Sequence, residues 1–138
     1  MTRGGLYQFI AAHDLAVVSS LSSEGSPECA LVGIAVTPDL EIVFDTVNSS
    51  RKYKNLLHDP RTALVIGWEN EITVQYEGLA REIAGPADEH YKEVYFNRWP
   101  ECREHQNWAG IAYFVIRPKW IRYSEFNEGS RGIFEFTW

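Results

Sequence analysis

The chain is poor in cysteine. Cys29 and Cys102 are the two, and no C-x-x-C spacing joins them. That excludes a disulfide-stapled scaffold and a paired redox motif, and it predicts free thiols in a reducing cytoplasm. Long apolar runs are also missing. None approaches the ~20 residues of a membrane span, and no signal peptide opens the sequence, so no membrane association is expected. Positive charge is scarce: 13 Lys and Arg stand against 19 Asp and Glu, for a net charge of −6. That balance argues against general nucleic-acid binding and requires any anion site to be local. Linkers, internal repeats and low-complexity stretches are absent, which predicts one domain over residues 1–138. There is no G-x-S-x-G to support Ser-His-Asp catalysis. The histidines His13, His58, His90 and His105 form no metal pattern. Cys102 and His105, three apart with Glu104 between, could form a corner of a metal site, but ordinary surface residues of an irregular loop explain them better, and no metal is expected.

What the chain does hold is apolar and aromatic. Hydrophobic residues make up 45%, enough for a core, and aromatics 14%, with five tryptophans. Trp99, Trp108, Trp120 and Trp138 come late. They can serve a bulky core, a dimer interface or a wall for a flat ligand, and composition does not choose among these.

Periodicity predicts mostly strands. Leu6, Phe9, Ile10 and His13 mark an amphipathic helix. Ala16–Leu21 reads as a strand, Ser22–Pro27 as a hairpin turn with Gly25 at its tip, and Cys29–Val36 as a second strand apolar enough to be buried on both faces. Gly33 within it permits close backbone approach. Leu40–Asp45, Thr62–Trp68 and Ile72–Ile83 follow as strands, with Gly78 a candidate bulge. Pro86, Asp88 and Glu89 open a helix that Pro100 ends. Glu101–Gly110 is polar and irregular. Ile111–Ile116 and Lys119–Tyr123 read as two strands about an Arg117-Pro118 turn, and Ile133–Trp138 as a loose terminal strand. Six or seven strands joined by short hairpins, with three short helices, predict a mainly β, antiparallel small barrel.

The chemistry concentrates between Ile42 and Pro60. A strand ends at Asp45-Thr46-Val47-Asn48. A short helix follows, capped by Ser49 or Ser50, with Tyr53, Leu56 and Leu57 on its apolar face and Pro60 as its stop. Its first turn carries Arg51 and Lys52, with Lys54 just after, and no acid. A helix N-terminus favours negative charge, so two cations there make sense beside an anion. Free N–H groups, serine hydroxyls, an Arg fork and a Lys charge form a phosphate cradle. The alternative is an exposed basic turn facing solvent.

Taken together, Val43-Phe44-Asp45-Thr46, Ser50-Arg51-Lys52, Asp59-Pro60-Arg61-Thr62-Ala63-Leu64-Val65, Glu77-Gly78-Leu79-Ala80-Arg81 and Arg117-Pro118-Lys119-Trp120-Ile121-Arg122-Tyr123 resemble, in order and spacing, the pyridoxamine 5′-phosphate oxidase-like FMN-binding split barrels. The resemblance covers roughly Ala16 to Glu125. It implies a six-stranded antiparallel split barrel and a homodimer with FMN at the subunit interface. It also implies that Arg51 and Lys52 bind the FMN phosphate, that Ser50 and Thr46 add hydroxyls, and that Val32, Gly33 and Ile34 run beside the flavin ring. Thr73 stands where the oxidase has a glutamine against the flavin.

The sequence also departs from that pattern. Ala30 and Ala35 occupy positions where the oxidase carries an arginine and a lysine, and only Arg131 stands near its C-terminal arginines. The resemblance therefore implies a small family member other than the true oxidase. It would be an FMN-dependent oxidoreductase passing hydride to or from a small organic substrate. The alternatives on the same barrel are a non-catalytic FMN or haem carrier and a deazaflavin-dependent reductase. No side chain is singled out as a catalytic acid or base, since a flavin carries the electrons itself.

Overall fold

Strand propensity and hairpin turns build one curled antiparallel sheet in the computed structural model, which describes residues 1–129 and 132–138. Arg131 lies outside the described residues. The strands are β1 (Leu15–Leu21), β2 (Pro27–Gly33), β3 (Ala35–Val36), β4 (Ile42–Val47), β5 (Arg61–Ile66), β6 (Ile72–Glu82), β7 (Ile111–Glu125) and β8 (Gly132–Thr137). Their order is β2-β1-β5-β6-β7-β4-β3, with β8 added on β7. The two ends of this order, β2 and β3, are consecutive in the chain, separated only by Ile34. The sheet therefore curls until its edges meet in one kinked strand, and the barrel has six strands with β8 appended.

Three helices accompany the sheet: α1 (Arg3–Ala11), α2 (Arg51–His58) and α3 (Glu89–Arg98), and a 3-10 run covers Pro100–Asn107. α1 begins earlier than its apolar spacing predicts, because the Thr2 side chain caps it by accepting from the Gly5 N–H at 3.0 Å. The barrel interior holds Leu6 and Ile10 of α1, Leu56 of α2, and the inward residues Val18, Phe44, Leu64, Tyr76, Phe114 and Ile121. The Tyr76 hydroxyl reaches the carbonyls of Leu40 and Ile116 at 2.8 and 3.0 Å, which satisfies a polar group at the centre of that core. A second apolar cluster lies outside the barrel. There α3 lays Tyr95 and Phe96 on Val43, Tyr113 and Val115 of β4 and β7.

Four expectations are corrected. Arg117-Pro118 makes no turn: β7 runs unbroken, and the register shifts opposite Glu77 and Gly78. Placing Pro118 at that bulge spares the ladder the loss of its missing N–H. A Cβ on Gly78 would sit 2.4 Å from the Arg117 carbonyl oxygen, so the expected bulge glycine is required there. Cys29–Val36 is not buried on both faces. It splits at Ile34, and β2 leaves Cys29 and Leu31 on an open outer face. The segment after Pro100 is regular 3-10 helix, and the last strand is paired along β7 from Trp120 to Glu125. No helix is long and apolar enough to cross a membrane.

Candidate functional site

The loop between β4 and α2 forms the first candidate site. Ser50 is the N-cap of α2, its side chain accepting from the Tyr53 N–H at 3.2 Å. Its hydroxyl also meets that of Thr46 at 2.8 Å, so the two predicted hydroxyls are neighbours. α2 packs Leu56 and Tyr53 against the core. Leu57 is 55% exposed, and the buried residue in its place is Asn55. Its amide donates to Ser20 Oγ at 3.0 Å and to Glu28 Oε1 at 2.8 Å.

Arg51 and Lys52 line a small pocket of about 100 Å³ with Val18, Ser20, Glu28, Cys29 and Ala30. Burial lowers the Lys52 ammonium below its ordinary value, with Asp45 pulling the other way. Arg51 Nη1 donates to Glu28 Oε2 at 3.1 Å. Glu28 thus holds both Arg51 and Asn55, and it offsets one of the two cations. Sequence reading missed Glu28. An acid in an otherwise apolar strand was its only signal. The pocket suits a phosphate in size, and its lining holds two cations of the α2 N-terminus and the Ser20 hydroxyl beside the Glu28 carboxylate; Ser50 and Thr46 are not among the lining residues.

The other predicted ligand residues are placed elsewhere. Val32 and Ile34 are buried in the core. Outside Gly33 sits Trp99, whose Cζ2 lies 3.0 Å from where a glycine Cβ would be, and whose Nε1 donates to the Ile34 carbonyl at 3.0 Å. Close approach to Gly33 is therefore made by the protein's own indole. Thr73 pairs with Ser124 at one end of β6. Glu82, at the other end, accepts from Tyr53 of α2 at 2.9 Å. Nine residues of strand, about 30 Å, separate the two ends. Thr73 thus lies at the opposite end of β6 from the strand residue that meets α2.

A second polar group lies on the outer side of β4, where Asp45 follows Val43 under α3. Its cross-strand partner is Tyr113. Ligand atoms of Asp45, Cys102 and His105 lie within 4.8 Å of one another. Burial raises the Asp45 carboxyl, against the pull of the Tyr95 hydroxyl and His105. Burial likewise pushes the Cys102 thiol up, and the Tyr113 hydroxyl up to about 12. Cys102 and His105, expected to be unremarkable loop residues, converge on an aspartate far earlier in the chain.

The family described as "Pyridoxamine 5'-phosphate oxidase" matches residues 6–125. A pyridoxine/pyridoxamine 5′-phosphate oxidase from Cyanothece sp. (strain PCC 7425 / ATCC 29141) is 35% identical over 75 residues, which are 54% of this chain and 35% of that protein. The match thus spans about a third of that relative's length. The structure of a haem-binding protein from Mycobacterium smegmatis superposes with a TM-score of 0.82 at 18% identity, covering 99% of this chain and 58% of that one. A putative pyridoxamine 5′-phosphate oxidase from Listeria innocua gives 0.74 at 14% identity, covering 88% and 96%.

Proposed function

Because the chain belongs to the pyridoxamine 5′-phosphate oxidase family, we propose that it binds FMN by its phosphate at the N-terminus of α2 and acts as an oxidoreductase on a small organic substrate. The observation that carries this reading is the α2 end itself. Ser50 and Thr46 hydroxyls meet there, Arg51 and Lys52 flank a phosphate-sized pocket, and the first turn carries no acid. Bound flavin would supply the ring that takes or gives hydride. Arg51 and Lys52 would hold the phosphate by charge, and Ser50 and Thr46 would orient it.

A homodimer fits the same reading. On the outer face of β2, β1 and β5, Leu31 is 60% and Val65 40% exposed, with no helix over them. An apolar sheet face of that kind suits a second copy. A second copy could also bring its own Thr73 towards the cofactor. Both thiols are free, as a cytoplasmic location would require.

FMN titration followed by flavin fluorescence tests the site. Arg51→Ala with Lys52→Ala should weaken binding by at least about 100-fold, since each charged hydrogen bond contributes about 1.5–3 kcal/mol. The circular dichroism spectrum should stay unchanged. Wild-type affinity in the folded double mutant overturns the assignment.

One observation favours a second reading. Glu28 offsets Arg51, and Ala30 lines the pocket where the oxidase has an arginine. A cradle so weakened suits a non-catalytic carrier of FMN or haem, or a deazaflavin coenzyme held mainly by other contacts. The fold is shared with the mycobacterial haem-binding protein. Titration with haem separates the readings: a Soret band, with no flavin quenching and no reduction by NADH or NADPH, selects the haem carrier.

A further inference from the structure

We propose that Asp45, Cys102 and His105 form a binding site for a divalent transition cation of the zinc class, on the outer face of the barrel. Three observations converge on it. The first is distance. Their ligand atoms lie within 4.8 Å of one another, and donors around tetrahedral zinc are about 3.5 Å apart. Small side-chain rotations close that difference.

The second is how the backbone presents them. Cys102 and His105 lie three apart in the 3-10 run Pro100–Asn107. A 3-10 helix has three residues per turn, so side chains at i and i+3 stack on one face. That face meets β4, where Asp45 alternates outward after Val43. The Cys102 N–H bonds the Trp99 carbonyl at 2.9 Å and the His105 ring stacks on Trp108 at 3.8 Å, so the turn and the imidazole are both held.

The third is an orphaned hydroxyl. Among the described residues, Tyr113 Oη is the one buried side-chain polar atom with no hydrogen-bond partner, and Tyr113 is only 4% exposed. It stands directly across from Asp45 in the β4–β7 ladder. Buried hydroxyls without a partner are rare and call for one. A water completing the coordination of a three-ligand zinc would supply it. Tyr95, buried in the cluster against which Cys102 packs, is the outer group that would orient the carboxylate. One carboxylate, one thiolate and one imidazole favour zinc or cobalt over magnesium or calcium, which prefer oxygen alone. The bound ion would tie the 3-10 segment to the sheet while keeping one position open.

Cobalt(II), added to the chelator-treated full chain, tests this site. One equivalent should bind and give a thiolate-to-cobalt charge-transfer band with tetrahedral visible bands. Cys102→Ser should abolish the charge-transfer band, and Cys29→Ser should keep it. Asp45→Asn should weaken cobalt binding by more than about 10-fold, and Tyr95→Phe by about 10-fold. A wild-type spectrum without a thiolate band overturns the proposal, as does a band that follows Cys29. Should Cys102→Ser not fold, wild-type alkylation decides. Zinc slowing iodoacetamide at Cys102 but not at Cys29 supports the site, and equal rates with and without zinc overturn it.

Discussion

The two outer faces of the sheet are built alike and treated differently. On β4 and β7, Val43, Tyr113 and Val115 point outward and are buried under α3 and the 3-10 segment. On β2, β1 and β5, Leu31, Val17 and Val65 point outward with the same alternation, and no helix among the described residues covers them. The first face is part of the protomer's core. The second is core only if a second copy completes it. A strand that reads as apolar on both sides can belong to either class, and what distinguishes them is where the following helix lands.

The largest test of this contrast removes a side chain from the covered face. Phe96 is 1% exposed and packs on Tyr113. Phe96→Ala should cost about 3–5 kcal/mol of unfolding free energy, measured by urea denaturation. A loss below about 1 kcal/mol would mean that α3 does not close this face.

A smaller effect is expected at the anchor of α3. Asp88 accepts from Arg81 at 2.7 and 3.0 Å and from the Ala84 N–H at 3.0 Å. The Arg81 guanidinium, first among its partners, holds the Asp88 carboxyl down to about 2. A carboxyl lowered on folding contributes stability above its unfolded value, and that contribution fades as pH falls from about 4 towards 2. Asp88→Asn should therefore lower stability at pH 7 and flatten the acid limb of the stability–pH curve. An unaltered acid limb would show that the pair does not hold the helix.

The smallest effect on the protomer, and the sharpest on assembly, belongs to the open face. Leu31→Asp should change unfolding free energy by no more than about 0.5 kcal/mol, as an exposed substitution does. Under the proposed pairing of two copies through this face, the same change should shift sedimentation from dimer to monomer. A dimer that survives Leu31→Asp together with Val65→Asp would place the interface elsewhere and end the likeness between the two faces.

Much of this was legible in the residues. The Ser50 cap, the basic first turn of α2 and the bulge glycine Gly78 each follow from local chemistry, and the structure places them as expected. Pro118 misled, because a proline within a strand reads as a turn until the partner strand supplies a bulge. Glu28 and Asp45 were invisible for a different reason. Each matters through side chains that only the curled sheet brings near: Arg51 and Asn55 for Glu28, Cys102 and His105 for Asp45. The aromatic excess pointed at cores, interfaces and ligand walls alike. Trp99 proved to pack on the protein's own Gly33, a pairing that no spacing along the chain announces.

The unbroken run of β7 also orders events during synthesis. Its fifteen residues pair with β6 on one side and β4 on the other, and β8 joins later. The β1–β2 and β5–β6 hairpins can form as soon as they leave the ribosome. β4 has only its two-residue pairing with β3 until β7 emerges and Phe114 stacks on Phe44. Contacts so distant along the chain form late, and the nascent half-barrel stays sticky until then. Chaperone dependence in the cell should accordingly track translation through Ile111–Glu125 more closely than any feature of the finished fold.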